Sequence, residues 1–267
     1  MMPTLSLSWS MLLRTYAVLF YAFLYVPIVV LVVLSFNDSP TMGFPFLGFT
    51  TKWYAHILSG DELAGAITNS VTIGTASAFI STALALLTSL GLRHQFPLKG
   101  FVFPMILVPI IMPSIVSGVL LLIFIGFAGL PYGLWSAVLP AHVTCVLPFA
   151  FLTLHPQIAR FDPALEEAAM DLGAKPLEVF TRVLFPIIRP ALIATLLFSF
   201  TISFDEFIRT LFVISGQRTV PIYLWVLIIE RVAPFLPAIG VVLLAISMVI
   251  AGTGFVLSQR TSSETNP

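Results

Sequence analysis

The chain has 267 residues, of which 58% are hydrophobic and only 9% charged, against roughly 25% charged residues in soluble domains. Twelve Lys and Arg balance twelve Asp and Glu, so no basic or acidic surplus points to nucleic acid or to an acidic tail. A mean hydropathy of +1.05 excludes an ordinary soluble domain and makes lipid the main solvent.

Arg14 precedes an apolar run over residues 16–36, too long for the core of a cleavable signal peptide, which predicts a retained first span. A polar, Gly/Pro-punctuated loop follows over residues 37–65. Further apolar stretches over residues 66–92, 101–127, 135–154, 190–208 and 236–257 are each about the 20 residues that a helix needs to cross the hydrocarbon. Continuous runs favour helices over barrel strands, which would alternate. The predicted fold class is an all-α integral membrane protein with six transmembrane helices in a single domain over residues 1–267.

Lys and Arg set the orientation. With the N-terminus inside, the inner segments hold Arg14, Arg93, Lys99, Arg160, Lys175, Arg182, Arg189 and Arg260, and the outer ones hold Lys52, Arg209, Arg218 and Arg231. Eight against four predicts both termini in the cytoplasm.

The loop over residues 160–189 then falls on the cytoplasmic side and has the punctuation of two short helices. Asp162 is a candidate cap with Pro163 at the first helical position, and Gly173 ends the first helix in a left-handed conformation. Pro176 opens the second helix and Pro186 closes it. Leu165, Ala168, Ala169 and Leu172 give the first helix a small apolar face, while Leu177, Phe180 and Leu184 stripe the second. Such a knob suits docking into a groove of another protein; the alternative is a solvated loop whose charges exclude it from lipid.

Asp205, Glu206 and Arg209 lie in the outer part of the fifth apolar stretch, where ionisable groups are costly and mark a solute path. On a continuous helix either acid reaches Arg209, and adjacent acids point about 100° apart, so one acid lines a cavity. A self-neutralised cluster at the outer interface is the competing explanation. Residues 219–237 are too short and Pro-bounded for another span; Tyr223 and Trp225, with Glu230 and Arg231 at the polar end, suit an interfacial helix over the outer mouth or a contact for a binding protein.

Enzymatic chemistry finds no support. No phosphate-cradling G-x-x-x-x-G-K-[ST] loop is present, and Lys99-Gly100 is the only adjacent Gly/Lys pair, in the wrong order. His56, His94, His142 and His155 lack metal-ligand spacing, His142 with Cys145 being a single i, i+3 pair, and the lone Cys145 excludes an intrachain disulfide.

Glu167-Ala168-Ala169, Gly173 three residues on, and Val183-Leu184-Phe185-Pro186 nine residues beyond closely resemble the signature of importer permeases of the ATP-binding cassette class, with Val183 for Ile and Phe185 for Leu. "SFN" at 35–37, "TKWY" at 51–54, "EEAAMDLGA" at 166–174 and "SFDEF" at 203–207 resemble the second permease subunit of spermidine/putrescine importers. The resemblance implies a bacterial inner-membrane permease domain of the type I importer fold, with residues 160–189 as its coupling helices. It implies ATPase docking by Glu167, Ala168, Ala169 and Gly173, with Leu172 and Phe180 as apolar support, and a solute path at Asp205, Glu206 and Arg209. The implied partners are a second permease, an ATPase dimer carrying ATP and Mg, an extracytoplasmic binding protein and membrane lipid, with no cofactor on this chain. A polyamine is the implied solute; Arg209 departs from the family pattern and makes a zwitterionic or anionic solute the alternative. An ion-coupled secondary transporter using Asp205 or Glu206 is the reading from another class.

Overall fold

The structure, a computed structural model, describes residues 7–230 and 233–263. Arg231, the expected polar end of the interfacial segment, lies outside the described residues. Twelve α-helices follow in order: α1 (Leu7–Ser35), α2 (Lys52–Leu58), α3 (Asp61–Gly91), α4 (Lys99–Ile111), α5 (Ser114–Phe127), α6 (Leu139–Ala159), α7 (Pro163–Asp171), α8 (Pro176–Val179), α9 (Phe185–Phe204), α10 (Ile208–Val213), α11 (Val220–Glu230) and α12 (Leu236–Ser263). Widened π-helical turns at Leu134–Val138 and Phe180–Leu184 lead into α6 and α9. Among the described residues there is one isolated β-bridge and no strand.

Four helical runs among the described residues are long and apolar enough to cross a membrane, at Met11–Ser35, Asp61–Gly91, Leu134–Ala159 and Pro176–Phe204. A bent pair, α4 with α5, makes a fifth, and the described apolar part of α12 is Leu236–Val249. The stretch 101–127 is therefore not one continuous helix. It turns through 102° between Ile111 and Ser114. Pro113 forces the preceding Met112 out of the helical region, to φ −74° and ψ 129°, and the ladder stops there.

The chain falls into two compact units. In the first, Met1–Asp61 with Val226–Val249, the loop after α1 closes onto α2. The Ser35 hydroxyl lies 2.6 Å from that of Tyr54, Trp53 Nε1 donates to the Asn37 carbonyl at 2.9 Å, and Lys52 pairs with Asp38. The Asn37 side chain organises the intervening loop by donating to the Gly43 and Pro45 carbonyls and accepting from Leu47 N–H. Phe36 stacks on Phe49 at 4.9 Å. The two sequence motifs at 35–37 and 51–54 thus meet residue by residue.

The second unit comprises Glu62–Trp225 and Ile250–Pro267. Its α3 buries a stripe of small residues, Ser70, Gly74, Ser77, Ser81 and Ala85 among them, at three- and four-residue spacing, which lets neighbouring helices approach closely. At Gly74 an added Cβ would lie 3.0 Å from the Phe200 ring. Phe151, Leu154, Ile158, Leu184 and Ile188 form a fully buried core between α6 and α9. The start of α11 is tied to α3, Ser70 Oγ accepting from Val220 N–H at 2.8 Å. As expected, residues 220–230 form a short helix, but Tyr223 is buried and the Trp225 ring packs on Phe207 at 5.2 Å.

Both π turns precede a proline at the second position of the next helix, Pro140 in α6 and Pro186 in α9. Phe185 N–H reaches back five residues to the Phe180 carbonyl, and the wider turn accommodates a ring that would otherwise clash with the carbonyl four residues earlier. Pro186 consequently does not close a second short helix. The helical run that carries the fifth apolar stretch is unbroken from Pro176 to Phe204.

Close packing between α5 and α10 rests on Gly118, where an added Cβ would fall 2.5 Å from Phe212 Cδ2. Gly118→Ala is expected to destabilise the protein by about 1–3 kcal/mol through overpacking. A thermal melt in detergent checks this, with Phe212→Leu in the same chain restoring most of the loss.

Candidate functional site

Two polar regions stand apart from the apolar helices: the knob between α6 and α9, and the break between α9 and α10.

In the knob, Asp162 Oδ1 accepts from Ala164 N–H at 3.0 Å and caps α7, with Pro163 following. At the other end Gly173 adopts φ +90°, its N–H bonding the Met170 carbonyl at 2.9 Å while Ala174 N–H bonds that of Ala169 at 3.1 Å. This pair of bonds is the Schellman arrangement, and a side chain at Gly173 would strain it. Glu178 then accepts from Lys175 N–H at 3.0 Å to start α8.

The outer face of the knob is open. Glu167, Ala168 and Gly173 are exposed, Ala169 is half-buried, and Leu172 at 90% and Leu177 at 72% relative exposure have almost no cover. Phe180 packs inward against the core around Leu184, while Leu177, three residues before it, is exposed. The stripe of Leu177, Phe180 and Leu184 is therefore divided between solvent and core.

The knob is pinned from within. Arg93, just beyond α3, donates from both terminal nitrogens to Glu166, at 2.6 and 3.1 Å, and its guanidinium lies over the Phe161 ring at 5.4 Å. A bidentate, half-buried pair of this kind fixes orientation as well as distance. Sequence reasoning placed Arg93 only in a basic turn; nothing in linear spacing relates it to Glu166, 73 residues away.

At the second region α9 ends at Phe204, Asp205 is its C-cap, and α10 begins at Ile208. The i, i+3 spacing brings Glu206 to Arg209 as expected, whereas Asp205, the C-cap of α9, is not brought to Arg209 because the helix breaks between them. Glu206 alone pairs with Arg209, at 2.8 Å, with side chains only 9% and 6% exposed, and it also accepts from Arg209 N–H at 2.9 Å. Asp205 is exposed and has no ion pair among the described residues. The cluster is not a group of three.

Beside this pair runs a buried chain of polar contacts linking α3, α6, α9 and α10. Ser77 Oγ donates to Ser203 Oγ at 2.7 Å, Ser203 Oγ lies 2.7 Å from His142 Nδ1, His142 Nε2 lies 2.8 Å from Thr210 Oγ1, and Thr210 donates to the Glu206 carbonyl at 2.9 Å. Ser77 Oγ also lies 3.1 Å from the Gly74 carbonyl, and both ring nitrogens of His142 are engaged by hydroxyls. Cys145, one turn from His142, donates to Glu206 at 3.2 Å and accepts from Arg209 at 3.1 Å. His142 is thus a buried, hydrogen-bonded packing residue, and its i, i+3 spacing to Cys145 was the available signal that both face one neighbour. Among the described residues no group of three or more His, Cys, Asp or Glu could hold a metal.

Membrane-length helices, a polar helical excursion between two of them and a charged helix break define a multi-pass membrane permease. The chain belongs to the family described as binding-protein-dependent transport system inner membrane component, whose model matches residues 80–262. It is 35% identical over 232 residues to the spermidine/putrescine transport system permease protein PotC of Escherichia coli (strain K12), covering 86% of this chain and 87% of that one. It is 32% identical over 255 residues to the putrescine transport system permease protein PotI of the same strain, covering 91% and 89%. In fold it is similar to a bacterial ABC transporter involved in import of the acidic polysaccharide alginate, with TM-score 0.75, 17% identity and 95% of each chain covered. The chain is accordingly a membrane component of a binding-protein-dependent importer.

Removing one partner of the buried Glu206–Arg209 pair leaves an uncompensated charge, so Glu206→Gln is expected to cost about 3–5 kcal/mol. The double variant Glu206→Gln/Arg209→Leu recovers most of it. A double-mutant cycle of denaturation in detergent measures the coupling.

Proposed function

We propose that the chain is the permease subunit through which an ATP-driven importer passes a polyamine such as spermidine or putrescine into the bacterial cytoplasm. Its likeness to two polyamine permeases over most of its length is the observation that carries the substrate class. In this reading both termini and the α7–α8 knob lie in the cytoplasm, consistent with eight inner Lys and Arg against four outer. The whole chain acts as one permease domain beside a second permease, an ATPase dimer that binds ATP and Mg, and an extracytoplasmic binding protein.

Glu167, Ala168, Ala169, Leu172 and Gly173 form the docking face, and the exposure of Leu172 and Leu177 supports it: two large apolar side chains on a polar excursion call for an apolar groove. Phe180 supports that face from beneath. ATP binding favours the closed ATPase, and the knob transmits closure because it is pinned twice, by Arg93 and by the unbroken run from α8 into α9. That run ends at Asp205, so movement of the knob reaches the charged break directly.

Of the three charged residues in the proposed path, Asp205 is the acid that meets the cationic solute, since it is exposed and free of Arg209. Glu206 and Arg209 support the path by holding the break in shape. A zwitterionic or anionic solute would need an accessible guanidinium, whereas Arg209 is buried against Glu206 and Cys145.

Two measurements test this. Asp205→Asn is expected to lower uptake of labelled putrescine about tenfold, the loss of one charge-assisted contact, with assembly unchanged; unchanged uptake removes Asp205 from the path. Leu172→Asp and Gly173→Val are each expected to leave the chain in the membrane but release the ATPase during purification, and full co-purification of both removes the docking assignment.

A further inference from the structure

The ends of α3, α4 and α6 meet the start of α7 around a cleft of about 540 Å³. Arg93 lines both this cleft and a separate one that Glu166 lines. Arg93, Lys99 and His155 line it together with Gly100, Phe103 and Phe161, and its lining contains no carboxylate.

Its chemistry is that of an anion receptor. Glu166 takes one proton from each terminal nitrogen of Arg93, leaving three of the five guanidinium donors. Lys99 has no ion pair among the described residues and occupies the first position of α4. No side chain caps that helix, whose preceding residue Leu98 is held at φ 72°. The Lys99, Phe101 and Val102 N–H groups bond the Phe96 and Leu98 carbonyls, which leaves the Gly100 N–H and the positive end of the helix dipole beside Lys99. His155 Nδ1 is buried with no hydrogen-bond partner, although its ring is stacked on Phe151 at 4.7 Å. An orphaned buried nitrogen, an unpaired ammonium and an uncapped helix start around one cavity call for the same ligand.

We propose that this cleft binds a phosphate group, presented at the membrane edge by the headgroup of an anionic phospholipid. The tetrahedral oxygens match donors from Arg93, Lys99 and the Gly100 N–H. Leu92, Phe103 and Phe161 supply an apolar wall suited to the glycerol and first acyl carbons, and basic pockets between membrane helices are known to select anionic headgroups. Because Arg93 also pins α7, a bound headgroup stiffens the knob; that consequence rests on the proposed coupling role, whereas the site itself does not.

Native mass spectrometry of the full chain, delipidated and then offered phosphatidylglycerol, phosphatidylcholine or inorganic phosphate, tests binding without any ATPase. One phosphatidylglycerol is expected to be retained about tenfold more tightly than phosphatidylcholine, the worth of roughly one charge-assisted hydrogen bond. Lys99→Gln is expected to abolish that preference, and His155→Phe, which keeps the stack on Phe151, to weaken it. Arg182→Gln, at an exposed position of the knob, is expected to leave it intact. Saturable binding of inorganic phosphate that Lys99→Gln removes, with no preference between lipids, keeps the anion site and assigns it to a soluble phosphate. Equal retention of both lipids without phosphate binding, or loss in Arg182→Gln equal to that in Lys99→Gln, overturns the proposal.

Discussion

A backbone N–H or C=O within a bilayer has no water to turn to, so the chain must satisfy each one itself. This constraint decides how a sequence with twenty prolines builds membrane-length helices. Where a proline follows a π turn, as Pro140 and Pro186 do, the wider turn re-routes the hydrogen bonds and the helix continues. Where the residue before proline is driven extended, as Met112 is before Pro113, the helix bends through 102°. Two outcomes of one residue type thus set the geometry of the third, fourth and fifth spans.

Side chains answer the same constraint at the helix break. Ser77, Ser203, His142 and Thr210 are all buried, and each has a partner in a series ending on the Glu206 carbonyl. That carbonyl lies in the helix break, where the regular ladder has stopped. The series therefore joins an irregular segment to α3, α6, α9 and α10, with the Glu206–Arg209 pair beside it.

Much of this was legible in the sequence, for identifiable reasons. Apolar run length located the spans because lipid imposes it, and Asp162, Pro163 and Gly173 located α7 because caps and left-handed turns have few chemical solutions. What escaped were features decided across the chain. The π turn at Phe180–Leu184 leaves no compositional trace, so Pro186 was assigned to a helix end. Arg93 and Glu166, or Ser77 and Ser203, are joined by folding alone. In the charged triplet the i, i+3 reach of Glu206 to Arg209 was legible, and only that of Asp205 failed, because the helix stops at Phe204.

The continuity of α8, the π turn and α9 gives these corrections a common meaning. Residues 176–204 form one helical run of 29 residues, roughly 43 Å at the usual rise of 1.5 Å per residue. The exposed knob lies at one end and Asp205 is the C-cap at the other. A carboxylate there faces the negative end of the helix dipole and has no basic partner among the described residues, whereas Glu206 is neutralised by Arg209. In the proposed path, a cation arriving at Asp205 would relieve that repulsion on the same helical run that the knob would move. Had Pro186 ended the helix, the two ends would communicate only through a flexible joint; the π turn keeps them mechanically one piece.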